Sequence, residues 1–109
     1  MILDVAGVKF SPQASLGLFD LFKYAVETAG DTADIIVLTC KRQIPGARLK
    51  IYFKDVDVSK LKEIERAIAK KMLEYITEYF PEKPNKVKLI LRDVEPGERE
   101  KDQNGSFEN

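Results

Sequence analysis

The sequence predicts an α+β sandwich, in which four strands form one antiparallel sheet and two helices cover one face. Three observations carry this expectation. Four short segments alternate apolar and polar side chains, two longer segments carry apolar residues at helical spacing, and their order is strand, helix, strand, strand, helix, strand. At 109 residues the chain is long enough to bury a core without disulfides or a structural metal. Residues 1–94 are expected to form this single domain. Residues 95–109 are charged, bear Pro and Gly, and hold too few apolar side chains to pack, so they are expected to be a flexible tail.

The elements follow in order. Ile2 to Phe10 is the first strand, and Ser11-Pro12 then offers an N-cap with proline at the first helical position. Leu18, Phe19, Leu21, Phe22, Ala25, Val26 and Ala29 continue the first helix, and Gly30 suits its left-handed C-terminal residue. Asp34 to Arg42 and Arg48 to Lys54 form a hairpin around Gln43-Ile44-Pro45-Gly46-Ala47, where proline then glycine fits the centre of a type II turn. Ser59 or Asp57 caps the second helix. Its stripe is Leu61, Ile64, Ile68, Met72, Tyr75 and Tyr79, widened by Leu73, Ile76 and Phe80, and Pro81 and Pro84 end it. Lys86 to Arg92 is the last strand.

This βαββαβ order is that of the ferredoxin-like sandwich, so the resemblance implies a sheet order of fourth, first, third, second. With Ile44–Ala47 as the turn, Gln43 pairs with Arg48 and Cys40 with Ile51. Alternation then puts Ile36, Leu38, Cys40, Leu49, Ile51 and Phe53 beneath the helices, and Val37, Thr39, Lys41, Lys50, Tyr52 and Lys54 on the opposite face. Cys40 is expected to be a small core hydrophobe rather than a nucleophile. Lys41 falls opposite Lys50, a repulsive pair. The last strand sends Val87, Leu89 and Leu91 inward and Lys86, Lys88, Ile90 and Arg92 outward, while the first exposes Asp4, Ala6 and Val8. The open face is therefore expected to be basic with apolar patches.

Composition excludes much chemistry. Histidine is absent, which removes Ser-His-Asp and Cys-His catalysis and imidazole-ligated metals. A single cysteine allows neither an intrachain disulfide nor a CxxC site, and suits a reducing compartment. Lys plus Arg and Asp plus Glu are 18 each, so any attraction to a polyanion must come from local clustering. The opening Met-Ile-Leu-Asp shows no basic leader, and no apolar run reaches membrane-spanning length, so the expected location is the cytoplasm, with no membrane partner. Abundant Lys and Glu with little Asn, Gln, Cys or Met resembles thermophile composition.

No catalytic residue, metal site or cofactor is expected. Gly7-Val8-Lys9-Phe10 resembles the first loop of acylphosphatases, but that family places an arginine directly after the phenylalanine, where this chain has Ser11. Asp55 and Asp57, then Glu63 and Glu65, sit where carboxylates cap a helix and balance its dipole rather than hold Mg²⁺. The preferred reading is a non-catalytic protein-interaction or regulatory module that self-associates or binds another protein. The first helix is apolar around much of its girth, so Leu18, Phe19 and Phe22 are the interface candidates. The alternative is single-stranded nucleic-acid or anion binding through Lys41, Lys50, Tyr52, Lys54, Lys88 and Arg92. Arg48 to Phe53 lies where an RNA-recognition motif carries its RNP1 strand, yet it lacks the glycine and offers one outward aromatic, Tyr52.

Overall fold

The computed structural model describes residues 1–8, 15–41, 46–79 and 88–103. Strand β1 is Ile2–Val8, helix α1 Ser15–Ala29, β2 Ala33–Lys41, β3 Gly46–Phe53, α2 Val58–Tyr79, β4 Lys88–Arg92 and α3 Glu98–Gln103. The expected helix start at Ser11-Pro12 and the stop at Pro81 and Pro84 lie outside the described residues. The four strands form one sheet of order β2-β3-β1-β4, with every neighbouring pair antiparallel. This is the expected ferredoxin-like arrangement, with β3 and β1 in the middle.

Local chemistry sets the element ends. Gly30 has φ +50, and there α1 gives way to the short 3-10 turn Gly30–Thr32, in which Thr32 donates its hydroxyl hydrogen to the Ala29 carbonyl. Of the two expected caps for α2, Asp57 takes the place, its carbonyl accepting from the Lys60 and Leu61 amides at 3.1 Å.

Alternation sorts the strands as expected. Leu3, Val5, Leu49, Ile51 and Phe53 face the helices and pack with Leu21, Phe22, Ala25 and Ala29 of α1 and Leu61, Ile64, Ile68, Met72 and Tyr75 of α2. Leu89 and Leu91 adjoin this core. Helix α1 packs beside β2 and α2 beside β4, so the two helices divide the sheet between them. Leu73, expected to widen the stripe of α2, is instead exposed, because one helix face suffices to cover half of a four-stranded sheet.

The hairpin register differs from expectation. Cys40 pairs with Ala47 and Lys41 with Gly46, so β3 begins at Gly46, inside the segment expected to be the turn. The shift from Ile51 to Ala47 is even, and an even shift preserves faces. Ile36 and Leu38 lie opposite Ile51 and Leu49, new partners on the same, expected face. The Lys41–Lys50 repulsion disappears, since Lys50 sits between Val37 of β2 and Asp4 of β1. The Cys40 side chain lies outside the described residues, as do residues 42–45.

The largest departure follows β4. Residues 95–103, expected to belong to a flexible tail, turn back at Glu95–Glu98 and form α3 on the face expected to be open. Pro96-Gly97, with Gly97 at φ +79 and the Glu98 amide 3.1 Å from the Glu95 carbonyl, forms the kind of type II turn expected at Pro45-Gly46.

Candidate functional site

Register aligns the second face of the sheet into rows across the strands. The first is Ile35, Tyr52, Ile2 and Arg92, and the second is Val37, Lys50, Asp4 and Ile90. Farther along lie Thr39 opposite Arg48, and Ala6 opposite Lys88. Helix α3 lies against Tyr52 and Arg92 of the first row. Ile2 and Tyr52 are 0% and 1% exposed although both point away from the helix-side core.

What seats α3 is charge. Glu98 accepts from both terminal nitrogens of Arg92, at 2.8 and 2.7 Å, and lies 3.0 Å from Lys50 Nζ. Its Oε1 also accepts from the Glu95 amide at 3.1 Å, closing the turn from the other side. One helical turn on, Asp102 accepts from Lys50 at 3.1 Å and from the Tyr52 hydroxyl. Arg99 pairs with Asp34 and stands over the Tyr52 ring, 5.9 Å from its centroid. No residue of α3 is itself buried.

Asp4 anchors the adjoining row. It accepts from Arg48 at 3.0 and 2.6 Å and from Arg92 at 3.1 Å. Arg92 thus bridges two carboxylates, one on β1 and one on α3. Burial pushes the Asp4 carboxyl up, but the hydrogen bonds from Arg48 and Arg92 outweigh it and leave it below its usual value. The Arg92 hydrogen bond holds Glu98 far below the ordinary carboxylate range, against the opposing effect of burial. Burial, then the Asp102 hydrogen bond, raises the Tyr52 phenol well above its normal value.

The expected anion-binding residues therefore divide. Lys50, Tyr52 and Arg92 come together, but beneath α3 rather than in the open. Lys54 and Lys88 are exposed, beyond β3 and at the start of β4. Lys41 is the last residue of β2, and its side chain lies outside the described residues. Among the interface candidates, Phe19 is 69% exposed, whereas Phe22 is buried in the core because it lies on the sheet-facing side of α1. The Leu18 side chain lies outside the described residues. Sequence reasoning missed Asp4, Glu98, Arg99 and Asp102. The signal for the last three was present as the Pro96-Gly97 turn followed by acidic residues in a first helical turn. Among the described residues, no group of three or more His, Cys, Asp or Glu side chains gathers as a metal site, and no helix is long and apolar enough to cross a membrane.

No family model matches the sequence, and no curated protein is similar to it. Among solved structures, Rv0793 from Mycobacterium tuberculosis is similar, with a TM-score of 0.53 and 17% identity, over 87% of this chain and 97% of that one. The likeness is one of fold.

Proposed function

We propose that this chain is a non-catalytic interaction module that pairs with a second copy of itself along β2. The observation that carries this reading is a set of exposed apolar side chains on the two elements bordering the free edge of the sheet. Phe19 and Val26 of α1 are 69% and 41% exposed, and Leu38 of β2 is 50% exposed. Phe19 and Val26 stand two helical turns apart and so share a face of α1, which packs beside β2. Leu38 pairs with buried Leu49 and so faces the helix side of the sheet.

Edge pairing offers each copy a partner for the outer backbone groups of a nine-residue strand. Covering a Phe, Leu or Val side chain fully contributes at most about 1.5–3 kcal/mol. Such side chains from both copies reach the same order as the ~4–15 kcal/mol cost of association. The expected dimer is accordingly weak and concentration-dependent.

Sedimentation equilibrium of the purified chain tests it. The mass should rise toward twice the monomer with concentration, and Phe19→Asp combined with Leu38→Lys should hold it at the monomer. A wild-type chain that stays monomeric at every concentration ends the proposal. The alternative of single-stranded nucleic acid draws less support, since Lys50 and Arg92 are already engaged with carboxylates.

A further inference from the structure

We propose that the sheet face around Lys50, Tyr52 and Arg92 is a docking site for an acidic helical segment of a partner protein, which α3 occupies in cis and vacates when that partner binds. This goes beyond pairing along β2 and uses a different surface.

The argument starts from how α3 is built. It has six residues, Glu-Arg-Glu-Lys-Asp-Gln, and buries none of them. Helices that short do not persist alone in water, so the face it lies on selects its conformation. Its contacts are those of a charged ligand on a receptor. Two carboxylates one helical turn apart, Glu98 and Asp102, are met by Lys50 between them, by the Arg92 fork at one end and by the Tyr52 hydroxyl at the other. The receptor residues belong to β3 and β4, which are fixed by the core on the other side of the sheet.

The cover lacks an apolar anchor, and apolar surface beside it stays open. Ile2 and Tyr52 are nearly inaccessible, yet they lie outside the helix-side core. Ile90, on the same face in the row next to that of Arg92, is 45% exposed, so the short polar helix leaves apolar surface of this face uncovered. A partner segment with the same carboxylate spacing and an added apolar residue gains the contact that α3 forgoes.

The same geometry favours an acidic helix over a phosphate chain. Asp4 lies within the face, its side chain 9% exposed, and places negative charge beside Arg48 and Arg92. A row of phosphates meets that charge, whereas the donors left over, Lys50, Tyr52 and the outer side of Arg92, suit two carboxylates about 5–6 Å apart.

Because α3 is tethered by the short turn after β4, its effective concentration is high and a competitor binds the intact chain weakly. The test uses a fluorescent, helix-stapled peptide of sequence Glu-Pro-Gly-Glu-Arg-Glu-Lys-Asp-Gln and reads anisotropy. The full-length Glu98→Gln/Asp102→Asn variant, whose cover is weakened while its face is intact, should bind the peptide at least about tenfold more tightly than the wild type. Adding Lys50→Glu should abolish that gain. Arg99→Glu, which removes the Asp34 pair and the stacking on Tyr52, loosens α3 independently and should give a gain of the same sign. Hydrogen exchange of the α3 amides should accelerate in both. Unchanged peptide affinity, or α3 amides that stay protected in both variants, overturns the proposal. So does a loosened chain that binds a poly-thymidine oligonucleotide in preference to the peptide.

Discussion

Arg92 holds Glu98 with both ends of its guanidinium, at 2.8 and 2.7 Å, while one of the same nitrogens reaches Asp4 at 3.1 Å. A single β4 side chain therefore ties the first strand to the last helix. Bidentate arginine–carboxylate pairs are the stronger class of hydrogen bond, and the Glu98 side chain is only 10% exposed. Glu98→Gln leaves one acceptor oxygen and no charge. It should lower unfolding stability by about 1–3 kcal/mol, read by urea denaturation, and should speed amide exchange in α3 before the sheet.

Protonation should act on the same contacts. Glu98 and Asp4 are both held below their usual values, so as pH falls the unfolded chain takes up protons at these groups first. Stability from them is complete above the ordinary carboxylate range, near pH 5, and declines continuously as the medium becomes more acidic. Glu98→Gln should flatten this decline. A wild-type urea midpoint that does not change between about pH 5 and pH 3 would contradict the assignment.

Tyr52 gives the opposite limb. Its phenol is raised, so above the ordinary tyrosine value of about 10 the unfolded chain loses a proton that the native chain keeps. Stability therefore falls as pH rises through that range. Tyr52 should ionise late in an ultraviolet titration, and Tyr52→Phe should remove that late step. A late step that survives this substitution would reassign it to another ring.

The sequence made the two faces of the sheet legible because alternation has a period of two, and an even slip of register preserves it. Lys50, Tyr52, Arg92 and Asp4 were thus placed on the correct side, although Lys50 was paired with Lys41 rather than with Val37 and Asp4. The Pro96-Gly97 turn and the acidic residues after it were legible, but the docking of helix α3 on the sheet was not. Periodicity detects apolar faces, and this helix has none; its stabilising partners lie far off in sequence, as with Tyr52 and Asp102. Composition described residues 95–103 correctly as charged, but could not show that the opposing charges on the sheet lie at matching spacing.

Helix α1 offers an internal comparison, because Phe19 and Phe22 are one turn apart and have opposite surroundings. Phe22 packs in the core, and Phe22→Ala should cost about 3–5 kcal/mol, since the cavity adds to the lost burial. Phe19 is 69% exposed, and Phe19→Ala should leave monomer stability within about 0.5 kcal/mol. If copies pair along β2, the Phe19 substitution should become costly only where the dimer is populated, because a contact formed between copies stabilises more as protein concentration rises. Thermal unfolding over a range of concentrations separates the two. A midpoint that rises with concentration in the wild type and not in Phe19→Ala places this ring in the interface, whereas parallel behaviour of both chains removes it from there.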